Sequence, residues 1–450
     1  MTLDFARVPN LEKLILKGCT KLSKIHASLG DLKHLILLDL NGCTCLKSLP
    51  CKINLESLEI FILSSCSKLK NFPEIVGNMS HLLELYLDGT AIEDLPLSME
   101  QLTRLIKLDL TNCKNLSSLP RVIFSLASLN TLILSGCLKL HKMQENLGNL
   151  KALKELDMSG TGIRDLPLSM EQLIGLIKLD LTNCKNLSSL PRVICSLTSL
   201  KTLTLSGCLK LDNMPMNLGN LEGLEKLDVS GTAIREPPSS IFSLKNLKIL
   251  SFQGCNGLSS KSWSWKKPLD FLLMTKTPDL MGLVLPSVSG LCSLTSLNIR
   301  NCNLQAIPSD IGYLSSLEEL NLSGNNFVCL PESINQLSKL KRLWVENCKS
   351  LQLLPALGSS AYVVDVQANG CTSLKSLLPF KIKDNSQNYF HLLNCFQLVD
   401  NQGRCDLFTT MLRENCEVSL SLSLSLSLSQ LSLKIMVGFY VSGINYKTKT

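Results

Sequence analysis

Nineteen cysteines and five histidines are the residues of this 450-residue chain with the widest chemical reach. They could bind zinc, supply a thiol nucleophile or cross-link the fold. A zinc site needs ligands paired at short spacing, such as two Cys-x-x-Cys pairs or a His pair three to five residues apart. The histidines are scattered, and no Cys-x-x-Cys pair stands near a second one. Thiol catalysis needs a nucleophile, a base and an orienting group, and no such set rises above background. Cys45, Cys51, Cys195, Cys292, Cys329, Cys395, Cys405 and Cys416 fall outside any pattern and are candidate nucleophiles only in the weakest sense. Disulfides belong to oxidising compartments. The opening "MTLDFARVPNLEK" lacks the basic stretch and apolar core of a secretory signal, so a reducing compartment is expected. On that reading the Asn-x-Ser sequons at Asn78, Asn115, Asn186 and Asn321 are chance matches. No catalytic residue, cofactor or metal is assigned, and no enzymatic activity is expected.

The remaining cysteines share one place in a repeating unit. Cys43, Cys66, Cys113, Cys137, Cys184, Cys208, Cys255, Cys302 and Cys348 each follow a Leu-x-x-Leu-x-x-Leu-x-Leu pattern, and Cys19 and Cys371 complete the set. The units start at Leu32, Leu55, Met79, Leu102, Leu126, Leu150, Leu173, Leu197, Leu221 and Leu244. A partial unit opens at Leu11, others follow at Leu291, Leu314 and Leu337, and a decayed one begins at Ala361. A period of about 23 or 24 residues lies within the leucine-rich-repeat range. The pattern predicts an α/β repeat fold: a solenoid, or horseshoe, of about fifteen turns with a parallel concave sheet and a convex side of 3₁₀ or short-helix segments. Leucines two apart point inward and their neighbours outward. A small thiol fills the corner after the strand, so these eleven cysteines are expected in the core. "GTAI" and "GTGI" units put Thr90, Thr161 and Thr232 there instead. The "LP" steps, among them Pro96, Pro120, Pro191 and Pro331, turn the chain toward the convex side.

An apolar content of 45% with 18% charge suits a large interior. The net charge of +8 comes without Lys or Arg runs, so neither nucleic acid nor an anionic membrane is an expected partner. The apolar run after Lys434 is too short for an integral membrane span.

Residues 79–149 recur as 150–220, three repeats on. In "LNTLILSGC" against "LKTLTLSGC", Asn130 becomes Lys201 and Ile133 becomes Thr204, while Leu129, Leu132 and Leu134 recur as Leu200, Leu203 and Leu205. The variable pair is predicted to face outward, the constant leucines inward. Phe124 to Cys195 and Arg104 to Gly175 fall outside the strands. The outward column includes Tyr86, Asp109, Ile133, Asp180, Thr204, Asn321, Trp344 and Asp365, with Lys107, Lys178 and Arg342 two residues ahead of members of that column. Opposite charges on neighbouring tracks would largely satisfy each other. Tyr86 and Trp344 are the expected contact anchors, as large exposed aromatics.

Five regions are expected. Residues 1–255 are a first repeat block, and 256–290 an irregular island or decayed repeat carrying Trp263 and Trp265 beside two lysines, a further candidate contact. Residues 291–378 are a second block, 379–413 open another element, and 414–450 are a Ser-Leu low-complexity tail with no fold of its own.

"VPNLEKLILKGCTKL", the Cys-bearing repeats ending in "LP", "GTAIEDLP" and "LPSVSGLCSLTSLNIRNCNL" closely resemble the leucine-rich-repeat region of plant TIR–nucleotide-binding–leucine-rich-repeat disease-resistance receptors, over roughly residues 5–412. "FHLLNCFQLVDNQGRCDLFTTML" resembles the start of the jelly-roll domain that follows those repeats. The resemblance implies recognition of a pathogen effector, a guarded host protein or a receptor domain, in the cytoplasm or nucleus. Family members also bind ATP and cleave NAD, but this sequence has no G-x-x-x-x-G-K-[ST] loop. The expectation is therefore a shortened resistance-protein product that keeps the recognition part. A leucine-rich-repeat signalling scaffold outside immunity, or the substrate-recognition part of an enzyme, is the alternative.

Overall fold

The computed structural model describes residues 4–255, 282–355, 365–377, 389–395, 397 and 417–419. Two units, Met1–Cys302 and Asn303–Thr450, are each a leucine-rich-repeat solenoid.

Every repeat must bury its leucines against the next coil while leaving no strand N–H or C=O unpaired. A three-residue strand meets both demands. In the first unit these are β1 (Lys13–Ile15), β2 (Leu37–Asp39), β3 (Ile60–Ile62), β4 (Glu84–Tyr86), β5 (Lys107–Asp109) and β6 (Thr131–Ile133). They continue as β7 (Glu155–Asp157), β8 (Lys178–Asp180), β9 (Thr202–Thr204), β10 (Lys226–Asp228), β11 (Ile249–Ser251) and β12 (Ser296–Asn298). Each pairs in parallel with the next, and the central residues stay in register: Leu132 lies opposite Leu108 and Leu156. From β2 onward those central side chains are buried, while the flanking ones are mostly half-buried or exposed.

The pairing passes straight from β11 to β12, with Leu250 opposite Leu297. Residues 256–281 of the segment expected as an island or decayed repeat lie outside the described residues. Its described end, from residue 282, docks on the first unit: the Leu283 N–H donates to the Cys302 carbonyl and the Val284 N–H to that of Arg235, 2.9 and 3.0 Å. Trp263 and Trp265 lie outside the described residues.

After each strand the chain passes through a left-handed residue, Gly or Asn in most coils; Asn112 has φ 58° and Gly136 φ 73°. The column of cysteines follows. In the first unit each column thiol (Cys43, Cys66, Cys113, Cys137, Cys184, Cys208, Cys255 and Cys302) donates to the carbonyl of the residue just after the strand one coil earlier, at 3.0–3.2 Å. Thr90, Thr161 and Thr232 instead donate to a carbonyl three residues back in their own coil, at 2.7–2.8 Å. Two corrections apply to the cysteines. Cys19 is exposed, because it belongs to β1's coil and no earlier described coil covers it. For the same reason Leu11, Leu14 and Leu16 are only half-buried. Cys395, read as unpatterned, is a buried member of the column in the second unit and donates to the Ala368 carbonyl at 3.2 Å.

On the opposite side of the coils Lys52–Ile53 and Glu74–Ile75 form a short parallel pair, while many described segments are 3₁₀ turns, such as Leu97–Gln101, Arg121–Ser125 and Leu168–Gln172. An extended proline (Pro96, Pro120 or Pro167) starts each, and the third residue of the turn (Met99, Ile123 or Met170) plugs the core. Five residues suit this geometry, since 3₁₀ turns are stable only in short runs.

The second unit repeats the plan with β13 (Glu319–Asn321), β14 (Arg342–Trp344), β15 (Asp365–Gln367), β16 (Tyr389–His391) and β17 (Glu417–Ser419). Of the segment that resembles a jelly-roll start, residues 389–395 form one further coil, β16 pairing in parallel with β15. Most of that segment and of the Ser-Leu tail lies outside the described residues.

Candidate functional site

Four tracks of side chains face out from the first unit's sheet. In β6's coil they are Asn130, Thr131, Ile133 and Ser135; the other coils supply equivalents in register. The third track is the column predicted as a contact surface, and the structure divides it into two classes. In six of the first unit's twelve strands its residue is Asp or Asn, and the side chain accepts the N–H two residues on. Asp109 takes that of Thr111 and Asp180 that of Thr182, both at 2.9 Å. Asp39, Asp157 and Asp228 do the same, as does Asn321 in the second unit with Ser323 at 3.1 Å. Here the chain leaves the ladder for the left-handed turn, so an outward N–H needs a local acceptor. These aspartates are first of all turn closures. Coils with Ile62, Tyr86, Ile133 or Thr204 at this place do without that closure, and there the side chain is free to vary.

The two aromatic anchors are half-buried rather than exposed, because a cation on the adjacent track covers each. Lys107 Nζ lies 4.7 Å from the centre of the Tyr86 ring. The Tyr86 hydroxyl donates to Glu84 Oε2 at 2.7 Å. Burial, and then that carboxylate, push its phenol above the usual range. In the second unit the Arg342 guanidinium stands 5.5 Å from the Trp344 ring while pairing with Glu319. Asp365 was expected beside Trp344, but the register puts Gln367 there and sets Asp365 against Arg342. In this decayed repeat Val366 and Ala368 take the inward places of the leucines.

Lys201 and Lys248 both pair with Glu225, at 3.3 and 2.7 Å. Lys248, followed by Lys201, holds the Glu225 carboxyl below its ordinary pKa. Lys178 is exposed. Asn130 has a half-buried side chain, and its carbonyl accepts the Lys154 and Glu155 N–H groups at 2.8 and 3.0 Å. Thr204 departs from expectation. It holds the outward register between Asp180 and Asp228, yet it is only 8% exposed and its hydroxyl has no hydrogen-bond partner. Its short side chain is overshadowed by longer neighbours. Ile133, at the same place in the first copy, remains half-buried.

With the register known, the duplicated block is more divergent outside than the strand leucines alone revealed. Leu83, Tyr86 and Asp88 in the first copy stand where Lys154, Asp157 and Ser159 stand in the second, beside the Asn130–Lys201 and Ile133–Thr204 changes. Inward, Leu82 and Leu85 recur as Leu153 and Leu156. A Cβ at Gly175, the place of Arg104 in the first copy, would sit 2.9 Å from Lys154 Nζ, whereas the coil before Arg104 offers Leu83 at Lys154's place. Nζ is the flexible end of its side chain and can move aside, so the change to glycine has no steric explanation in the structure.

The first unit's ladder thiols are poor nucleophiles. Burial pushes Cys66, Cys137, Cys208 and Cys302 up to about 12 and Cys113 to about 11. Among the described residues no cluster of His, Cys, Asp and Glu could hold a metal ion, and no helix is long and apolar enough to cross a membrane.

Residues 54–147 match the family model described as "Disease resistance protein RPS4B-like, leucine-rich repeats", and residues 292–349 match a general leucine-rich-repeat model. The chain is 31% identical to the TMV resistance protein N of Nicotiana glutinosa over 317 residues, 70% of this chain and 20% of that protein. The chain belongs to the leucine-rich-repeat regions of TIR–nucleotide-binding–leucine-rich-repeat resistance proteins. It is also 40% identical to disease resistance protein RPP2B of Arabidopsis thaliana over 274 residues, 59% of this chain and 20% of that one. The matched region thus spans about a fifth of the length of these relatives. Among solved structures, a leucine-rich-repeat protein of Leptospira interrogans superposes with a TM-score of 0.56 at 23% identity, covering 92% of this chain and 97% of that one. That likeness speaks to the fold alone.

Proposed function

We propose that this chain is a non-catalytic protein-recognition module of plant innate immunity. The outward face of its sheet takes a protein ligand: a pathogen effector, a guarded host protein or a domain of a resistance receptor. The duplicated block carries this reading. On one scaffold the inward leucines recur while outward residues change in size and charge, as a recognition surface requires. The relatives supply the immune setting. Buried thiols held protonated favour a binding role over catalysis. The module acts in the cytoplasm or nucleus, where free thiols persist.

The test is site-specific photo-crosslinking in infected leaf tissue, with the cross-linker placed at outward Thr131 and Thr202 or at turn-side Ala127 and Thr198. Adducts at the first pair are expected; adducts confined to the second pair would overturn the reading. A fluorescent fusion should light the cytoplasm or nucleus, and a secreted signal would overturn the location.

A further inference from the structure

We infer that the sheet face over β2–β4 is a docking site for a basic amphipathic segment of a partner protein, one presenting apolar side chains with lysine or arginine beside them. This rests on the outward face being the recognition surface and adds where on it, and to what chemistry, it binds. The outward tracks of these three coils carry Ile36, Leu37, Ile60, Ile62, Leu83 and Tyr86. Adjacent strands lie about 4.8 Å apart, so the six form one continuous apolar patch. Ile15, 59% exposed on β1, and Ile106, 44% exposed beside β5, extend it at either end.

Within these three coils the outward charges are the carboxylates of Asp39, Glu59, Glu84 and Asp88, and they outnumber the lysines beside them. Lys107 on β5 stands opposite Glu84 and over the Tyr86 ring, and Lys13 lies beside Leu37 on β1. Asp39 and Asp88 take hydrogen bonds from neutral groups, the Asn41 N–H and the Ser64 hydroxyl, which bring no positive charge. The face farther along is different. Over β7–β11 lysines alternate with carboxylates, and the Lys201–Glu225–Lys248 network neutralises itself. An apolar centre with an excess of carboxylates around it complements cationic, apolar matter and disfavours anionic matter.

The duplicated copy shows that folding does not require the patch. Lys154, Asp157 and Ser159 replace Leu83, Tyr86 and Asp88 on the same inward scaffold. Other occupants fit poorly: an acidic peptide or an anionic lipid headgroup would face four carboxylates, and a second copy of this face would set carboxylate against carboxylate.

The test uses the full chain and a fluorescent helical peptide of roughly 18 residues, five turns, with leucine on one face and lysine on the other. A leucine–glutamate peptide is the control, and anisotropy is the readout. The lysine peptide should bind, more weakly as salt is raised from roughly 50 to 300 mM. Paired Ile60→Ser and Ile62→Ser should weaken binding at least about tenfold, and Glu59→Lys should weaken it too. Lys154→Leu, in the other copy, should leave it unchanged. Far-UV circular dichroism checks that each variant is folded. Equal binding of the glutamate peptide, or indifference to the β3 variants, would overturn the inference. So would self-association of the chain that is lost in the Ile60/Ile62 variant, which would assign the face to a second copy. If the peptide fails while Thr131 and Thr202 still cross-link, this inference falls and the recognition reading stands. If those positions give no adduct, both fall.

Discussion

Leu203 and Thr204 are adjacent residues of β9 and should respond to substitution with opposite signs. Leu203 is fully buried, wedged in register between Leu179 and Leu227. Neighbouring coils are hydrogen-bonded on both sides, so the space left by Leu203→Ala cannot easily close. A loss of about 3 kcal/mol, within the usual 2–5, is expected. Thr204→Val keeps the shape and removes a buried hydroxyl without a partner, which should stabilise by about 1 kcal/mol. A repeat array need not unfold in one step, so the assay is hydrogen exchange at flanking amides. The Leu181 N–H donates to the Thr204 carbonyl at 2.8 Å, and the Leu205 N–H to that of Asp228 at 2.7 Å. At about 1.4 kcal/mol per factor of ten, Leu203→Ala should speed their exchange on the order of a hundredfold. Thr204→Val should slow it about fivefold. An alanine variant within twofold of the wild type, or a valine variant that exchanges faster than the alanine one, would refute the inward–outward assignment.

Other consequences can be checked as directly. Iodoacetamide should label exposed Cys51, Cys292 and Cys329 in the native chain and reach Cys66, Cys137 and Cys208 only after unfolding; equal labelling in mass spectra would contradict the ladder. Ladder thiols raised to about 12 from 9.0 stay protonated when folded but ionise when unfolded. Their contribution to stability is whole below pH 9 and falls as pH rises toward 12, so the melting temperature should drop between pH 9 and 11; a flat profile would count against burial. Gly136→Ala combines a left-handed φ with a Cβ running into Asn112 Oδ1, and should cost about 2 kcal/mol. Gly160→Asn, whose new Cβ meets nothing nearer than Gly136 backbone at 3.6 Å, should cost less than about 0.5 kcal/mol in urea melts.

The coil plan was legible in the sequence because it is written in local spacing. Leucines two apart specify a strand and its buried side, and the residue behind them specifies the corner. What depends on neighbouring coils was not. Nothing in "LKTLTLSGC" says that Asp180 and Asp228 will overshadow Thr204, since that follows from side-chain lengths two dozen residues away on either side. Asp365 was misplaced because Val366 and Ala368 do not announce themselves as leucines would. The recurrent Asp of the outward column looked like a binding signal and serves first to close turns. The left-handed position was readable in "SGC", "TNC" and "ENC", where Gly and Asn alternate before the cysteine, and went unused. The apolar patch was hidden for a related reason: Leu83 and Ile106 precede their strands, and only the register sets Leu83 next to β3's coil and Ile106 next to Leu83.

The central claim is that alternate strand residues seal a core while their neighbours line an open face. Hydroxyl-radical footprinting of the full chain, read by mass spectrometry, tests it most directly. Ile60, Ile62, Tyr86, Ile106 and Ile133 should oxidise readily, and Phe61, Leu85, Leu108 and Leu132 should be protected, strand after strand. Central residues that react as fast as the ones flanking them would contradict the account.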